Sequence, residues 1–387
     1  MRKNFVHICE EFEYTWIGKD NGMIPIYVHE ILGYNSKIVT CDLKKDLPNE
    51  IRGVEVVKIP RWIKKIGNFA PFIIFIKRIP LYYWLIKNAK NIDILMLFHI
   101  TKCSYWNTYF YKKFNPNGKV YIKADFNLEV YKKELKRTQM VPKNLKEFFR
   151  KRREIKEYNK RKKLVKMVDK ISYETKKNYE VMKDNYAGVD VIGKTFYLPN
   201  GYDDIYLKNN FKIKKFEEKE NIFLTVGRLG TYEKNTELIL STLEKIDLKN
   251  WKFYLIGPVE KEFKEKIDIF FENNPSKREN IIFTGIIKDK KELYNYYNRA
   301  KVFVLSSRYE SFGIVLSEAL AFNNYILSTD TGAIRDILNG SNGDIITDEN
   351  SLVDMMEEII NGKDIVINDL TKSNEFKYSN IIKKVQI

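Results

Sequence analysis

Cysteine is scarce in this chain: Cys9, Cys41 and Cys103 are the only three among 387 residues. They lie far apart and have no metal-ligand spacing, which argues against a disulfide framework or a thiolate metal site. The pattern fits free or buried thiols in a reducing compartment. Histidine is equally rare, at His7, His29 and His99. No uninterrupted apolar run approaches the roughly 20 residues that span a bilayer. The opening "MRKNFVHICEEF" is too short and too soon acidic for a secretory signal. A cytoplasmic chain that does not span the membrane is expected. Internal repeats, low-complexity tracts, zinc-finger spacings and RNA-recognition signatures are also missing, so nucleic acid is not an expected partner.

Positive charge, by contrast, is abundant. The net charge is +17, and residues 131–170 alone carry 17 Lys plus Arg against 5 Asp plus Glu, a net of +12. A segment this basic suits an anionic surface. Residues 61–87, "RWIKKIGNFAPFIIFIKRIPLYYWLIK", mix aromatic and aliphatic side chains with Lys and Arg. Pro71 and Pro80 prevent them from forming one helix. Aromatic rings beside cations suit a bilayer interface better than a duplex. An anionic membrane surface is therefore the expected macroscopic partner.

A length of 387 residues suggests more than one domain. The clearest early strands are "NFVHIC", "SKIVTC", "DILMLFHI" and "GKVYIKAD". From "NIFLTVGRL" onward, strands and helices alternate regularly through "KFYLIGP", "IIFTGII", "VFVLSS", "NYILST" and "GDIIT". Such alternation predicts an α/β fold with parallel sheets covered on both faces. Two such halves predict two doubly wound domains with ligands at the carboxyl ends of the strands. "FYLPNGYDDIY" breaks the pattern and marks a boundary. The expected domains are 1–196 and 197–368, with a helix in 369–387 returning to the first.

The second half carries the chemistry. In "TVGRLGTYEKNTELIL", Arg228 follows a strand and Lys234 opens a helix. Two cations at a strand end can neutralise a diphosphate, Arg by its fork and Lys as a point charge. "GRLG" is not the dinucleotide fingerprint. In "SSRYESFGIVLSEALA", a strand ends near Glu310 and a helix begins, with Ser311 as its expected N-cap. The amides of Phe312, Gly313 and Ile314 would then face an anion at the helix N-terminus. Glu318 lies about 10 Å further along at about 1.5 Å per residue. That matches the span from a nucleotide sugar's phosphates to its ribose, with Glu310 on the sugar side.

"RYESFGIVLSEALA" resembles the E-x7-E signature of retaining glycosyltransferases of family 4, which have the GT-B fold. "GRLGTYEKN" looks like that family's diphosphate clamp, falling on Arg228 and Lys234. "LPNGYD" is similar to its Asn-Gly turn. "STDTGAIRDIL" is similar to its D-x-G-G-x-x-E segment, with Thr331 in place of a glycine and Asp336 in place of the glutamate. "TGIIKDKKELYNYYNRA" resembles the loop and helix that edge the base, where Ile286 or Ile287 would flank it. The family often has a histidine where "DILMLFHI" ends, which places His99 near the sugar. His7 reads as structural and His29 as a helix residue. "WIGKDNGMIP" stands for the family's glycine-rich loop, with Gly18 and Gly22 but without its Gly-Gly doublet.

The resemblance implies two Rossmann-like domains facing a cleft, with the C-terminal helix packing back on the first. It implies a hexosyltransferase of the retaining type. The donor would be a UDP- or GDP-sugar, and the acceptor a saccharide or lipid-linked saccharide. Capsular or exopolysaccharide synthesis at the inner face of the cell membrane is the implied setting. Glu310, His99, Arg228 and Lys234 would be catalytic. Gly18, Arg228, Lys234, Ile287, Glu310, Phe312, Gly313, Ile314 and Glu318 would bind the donor. No metal site or cofactor is implied, because cations and a helix dipole can serve in place of a metal. Two rival readings are a GT-B nucleotide-sugar epimerase and a non-catalytic, membrane-associated scaffold subunit.

Overall fold

Strands buried on both faces need unbroken apolar runs rather than alternation. The runs "ILMLF" and "VFVL" meet that need, and both are almost wholly buried. The computed structural model describes residues 2–41, 47–61, 75–125, 128–338, 342–365, 367 and 371–385. The chain divides into one unit of Met1–Pro199 with Tyr378–Ile387, and a second of Asn200–Lys377. The sequence places the break after residue 196, whereas the units part after Pro199. The second expected break, between 368 and 369, lies outside the described residues. The tail, expected as one helix, forms two short ones, Thr371–Glu375 and Tyr378–Lys383.

The first unit is built on β1 (Asn4–Ile8), β2 (Asn35–Thr40), β3 (Glu50–Ile51), β4 (Val54–Lys58), β5 (Ile94–Phe98), β6 (Lys119–Ala124) and β7 (Lys170–Tyr173). A small hairpin, β8 (Asn185–Tyr186) and β9 (Val189–Asp190), precedes β10 (Thr195–Tyr197). The sheet order is β10-β7-β6-β5-β1-β2-β4-β3. Its pairs are parallel except the β3–β4 edge. The order reverses between β1 and β5, the point where a doubly wound sheet opens a crevice. The Asp20–Leu32 helix follows β1, and the Tyr27 ring on it lies 5.5 Å from that of Tyr378. Cys9 and Cys41, remote in sequence, follow the neighbouring strands β1 and β2 and are free, buried thiols.

The second unit has six parallel strands: β11 (Glu220–Val226), β12 (Lys252–Ile256), β13 (Ile281–Gly285), β14 (Ala300–Leu305), β15 (Tyr325–Thr329) and β16 (Gly343–Ile346). Their order is β13-β12-β11-β14-β15-β16, so the switch point falls between β11 and β14. Apolar faces of the helices Thr236–Lys245 and Glu349–Ile360 cover one side, burying Ile239, Leu243, Leu352 and Met356. The helices Lys290–Arg299 and Ile314–Ala321 cover the other, burying Tyr294, Tyr297 and Leu316. The expected "AIRDIL" helix shrinks to Ile334–Ile337.

One buried cation anchors the Lys290–Arg299 helix. Lys219, 5% exposed, donates to the Tyr297 and Asn298 carbonyls, each at 3.0 Å. Those carbonyls end the helix and need such donors. Burial, with a smaller push from Lys214, lowers the Lys219 amine from 10.5 to about 7. Between those values the unfolded chain holds a proton that the folded chain has released, so stability rises with pH across that window. In Lys219→Met this dependence disappears. The stability of wild type relative to the variant, read by urea unfolding, should therefore grow by more than about 1 kcal/mol from pH 7 to pH 10. A difference that stays constant would contradict the assignment.

Candidate active site

The second unit's switch point gathers residues from two loops. After β11, the chain turns through Gly227 and the exposed Arg228 and reaches Lys234, just before the Thr236–Lys245 helix. After β14 come the buried Ser306 and Ser307, then Glu310. Lys234 Nζ meets Glu310 Oε1 at 2.5 Å, with side-chain exposures of 24% and 12%. Ser307 Oγ donates to the same carboxylate oxygen at 2.7 Å. Ser306 Oγ donates to the Lys234 carbonyl at 2.9 Å. Thus the lysine assigned to phosphate and the glutamate assigned to sugar are one ion pair, braced by two serines.

A third loop, after β15, fixes the glutamate from behind. The Glu310 amide donates to Thr331 Oγ1 at 2.9 Å. Gly332 follows at φ 58°, where a Cβ would stand 2.4 Å from the Phe312 carbonyl oxygen and 2.9 Å from Glu310 Cβ. Only glycine fits that approach at that backbone angle. Thr331 is thus a direct support of Glu310.

The helix N-terminus differs from expectation. Ser311 does not cap it; the cap is Gly313, left-handed at φ 82°, and the helix runs Ile314–Ala321. Gly313 takes that place because a left-handed cap bears no penalty without a Cβ. The Leu316 amide already returns to the Gly313 carbonyl at 2.9 Å. The first-turn amides are therefore those of Ile314 and Val315. Phe312 is 1% exposed and lies in the core, its ring 6.3 Å from that of Phe376. Its carbonyl accepts from the Ala333 amide at 2.8 Å.

Glu318 sits one face further along the same helix. Tyr294 donates to its Oε1 at 3.2 Å and Tyr297 to its Oε2 at 3.0 Å. Burial pushes the Glu318 carboxyl above its ordinary range, while the two hydroxyls and the nearby Lys290 ammonium oppose that shift. Lys290 is itself paired with buried Asp203 at 3.0 Å and lies 4.5 Å from the Tyr206 ring centroid. Sequence reasoning missed this Tyr–Tyr–Lys setting, although "KKELYNYYNR" spaces its tyrosines at the helical interval. Of the two candidates after β13, Ile286 is 62% exposed and Ile287 packs on the core.

In the first unit, Gly18 lies just before the Asp20–Leu32 helix, with open space where a Cβ would stand. His99, exposed, follows β5 at φ 59°, and its Nδ1 lies 3.2 Å from the Asp125 carbonyl oxygen. The two flank that unit's switch point. His7 is buried and its ring is pushed down to about 4 by desolvation, which fits a structural role. Sequence reasoning also missed a neighbouring buried group: Lys123, whose Nζ donates to the Leu198 carbonyl at 2.7 Å, with Asp20 and Glu174. Burial raises both carboxyls, Glu174 well above the usual range, and Asp125 adds to the effect on each.

Residues 208–376 match the family described as "Glycosyl transferases group 1". The chain carries a glycosyltransferase group 1 domain. It is 27% identical over 211 residues to the capsular polysaccharide biosynthesis glycosyltransferase CapM of Staphylococcus aureus, covering 51% of this chain and 53% of that one. The chain spans 37–53% of the length of three curated relatives it matches. A glycosyltransferase from Rickettsia africae has the same fold, with a TM-score of 0.69 at 16% identity over 99% of this chain and 96% of its own. The Anabaena protein Alr3699/HepE, solved in complex with UDP, superposes with a TM-score of 0.68 at 12% identity over 100% and 98%. The fold is thus that of GT-B glycosyltransferases, as the E-x7-E resemblance implied.

The Lys234–Glu310 contact gives a direct test within this domain. Two half-buried, hydrogen-bonded charges should couple by about 1–3 kcal/mol in a double-mutant cycle of Lys234→Met and Glu310→Gln, measured by urea unfolding. Coupling below about 0.3 kcal/mol would show that the pair is not formed in solution.

Proposed function

We propose that this chain transfers a hexosyl group from a UDP- or GDP-sugar to a saccharide or lipid-linked saccharide, with retention at the anomeric carbon. The setting is capsular or exopolysaccharide synthesis on the cytoplasmic face of the membrane. The observation that carries the reading is the Lys234–Glu310 pair at the switch point of a glycosyltransferase group 1 domain, with exposed Arg228 on the adjacent turn. The similarity to CapM supports the pathway, and the UDP complex of Alr3699/HepE supports the donor class.

The barrier in such a transfer is departure of a nucleoside diphosphate. Arg228 and Lys234 supply positive charge, and the amides of Ile314 and Val315 supply the helix dipole. These groups can take the developing charge without a metal ion, so activity should persist in a chelator. On donor binding, Lys234 turns part of its charge from Glu310 to phosphate, which frees Glu310 to hold sugar hydroxyls. Glu318 receives the ribose, its carboxylate aimed by Tyr294 and Tyr297. Ile287 borders the base. In the first unit, His99 is the sugar contact and Gly18 belongs to the donor-binding loop. The leaving phosphate accepts the acceptor hydroxyl's proton on the face where the new bond forms.

The test is thermal unfolding with UDP, GDP, ADP and CMP. One nucleoside diphosphate should raise Tm, by mass action on the native state. Arg228→Ala should remove that rise while leaving Tm without nucleotide unchanged. No rise with any of the four would reject the donor site, and product analysis with the matching nucleotide sugar separates transfer from epimerisation.

The membrane partner belongs to the same proposal. Among the described residues no helix is long and apolar enough to cross a membrane. Much of the aromatic-basic segment, residues 62–74, lies outside the described residues. The basic helix Leu145–Met167 is described, and beside its cations stand exposed Val141, Leu145, Phe148 and Phe149. Apolar side chains among cations match a surface helix at an anionic interface. Replacing the Lys and Arg between 150 and 163 by Gln should reduce binding to phosphatidylglycerol vesicles about tenfold or more, at roughly 1 kcal/mol per cation. Equal binding of variant and wild type would reject this contact.

A further inference from the structure

Most aromatic side chains of the second unit are covered. Among its described residues, the exposed aromatic ones are Tyr232, at 65%, and Tyr309, at 50%. They come from different loops, after β11 and after β14, yet they meet: their ring centroids are 6.3 Å apart and the planes differ by 35°. Arg308 ties them together. Its guanidinium carbon lies 4.6 Å from the Tyr232 ring centroid. Its Nη1 donates to the Tyr232 carbonyl at 2.7 Å, and its amide donates to the Glu233 carbonyl at 2.7 Å.

Such an arrangement has a cost: two large rings are held in water instead of being packed. It also has a use, because fixed tyrosines offer a broad apolar surface at low entropic cost on binding. The rings lie next to the reaction site in sequence, Tyr309 beside Glu310 and Tyr232 two residues before Lys234. Neither ring lines the pocket at the switch point, which Gly227, Arg228, Lys234, Ser306 and Ser307 border. Glu310 is 12% exposed and turned into the ion pair, while its neighbour Tyr309 is half exposed. The surface is therefore adjacent to the donor crevice and outside it.

We propose that Tyr232 and Tyr309 form a stacking platform for a pyranose ring of the acceptor saccharide, beyond the sugar that receives the transferred residue. The inference rests on the glycosyltransferase reading above. A pyranose presents a face of C–H bonds that packs on an aromatic ring. Its hydroxyls stay at the rim, within reach of water and the Arg308 side chain. A nucleobase would also stack, but its place is beside Ile287, after β13, two strands from β11 in the sheet.

Saturation-transfer NMR with cellobiose and maltotriose, at millimolar concentration, reads this contact directly. Wild-type protein should transfer saturation to the ring C–H protons of at least one of the two. Tyr232→Ala and Tyr309→Ala should each lower the transfer about fivefold, while Tyr232→Phe and Tyr309→Phe keep it within about twofold, because stacking uses the ring and not the hydroxyl. Tm and its rise with the nucleoside diphosphate should be the same in all four variants. Absence of transfer in wild type, or equal transfer in the alanine variants, would overturn the platform. Loss of the nucleotide effect in the alanine variants would overturn it too, by assigning the rings to the base. Failure of every nucleoside diphosphate to stabilise wild type, with saccharide contact intact, would reject the donor reading and leave the platform standing.

Discussion

A lysine and a glutamate that meet at 2.5 Å at the carboxyl edge of a parallel sheet constrain most of what surrounds them. Lys234 comes from the loop after β11 and Glu310 from the loop after β14, the two strands between which the order reverses. Opposite charges held there tie together two loops that share no strand. Ser307 donates to Glu310 Oε1, Thr331 Oγ1 accepts from the Glu310 amide, and Ser306 donates to the Lys234 carbonyl, so both partners are held in place. A half-buried pair of this kind is a reservoir of electrostatic interaction that an anionic ligand can redirect. Desolvation of both ions has already been met in folding.

Glu318 obeys the opposite logic. Among the described residues no cation touches it; its oxygens accept from Tyr294 and Tyr297, and Lys290 acts from further away through a partner of its own, Asp203. Phenolic donors orient a carboxylate without neutralising it, which leaves its remaining lone pairs for hydroxyl ligands such as a ribose diol. The chain of dependence runs back to the sheet edge: Lys219 ends the Lys290–Arg299 helix, that helix sets the tyrosines, and the tyrosines aim Glu318. The two glutamates of one short motif are thus held by different physics, one by charge and one by neutral donors.

Much of this was legible in the sequence because parallel strands write themselves as apolar runs. Every strand named in the second half appears, and the helix expected in "TGIIKDKKELYNYYNRA" runs Lys290–Arg299. The acid–base pairing of Lys234 with Glu310 was not legible, since 76 residues separate them and no local rule joins loops across a sheet. The N-cap was misjudged for a local reason. Ser311 has the side chain of a cap, but the Phe312 carbonyl accepts from the Ala333 amide and the backbone turns through left-handed Gly313 before the helix starts. Thr331 was read as standing in place of a glycine, but against D-x-G-G-x-x-E it falls on the open position and Ala333 takes the glycine's place; its hydroxyl oxygen accepts from the Glu310 amide. The buried Lys123, Asp20 and Glu174 went unread because each follows or sits in a different strand, and burial cannot be counted from one strand at a time.

The first unit repeats the architecture with different electrostatics. Its sheet also reverses order, between β1 and β5, and His99 and the Asp20–Leu32 helix flank that point. There the charges are buried rather than half exposed: Lys123 is 0% exposed and Glu174 1%. Burial, with a smaller push from Asp125, raises the Glu174 carboxyl well above the usual range, and burial lowers the Lys123 amine. The second unit instead holds an exposed Arg228 and a half-exposed Lys234 at its switch point. The same doubly wound scaffold thus presents two edges of different character, and the difference lies in how deeply each edge buries its ions.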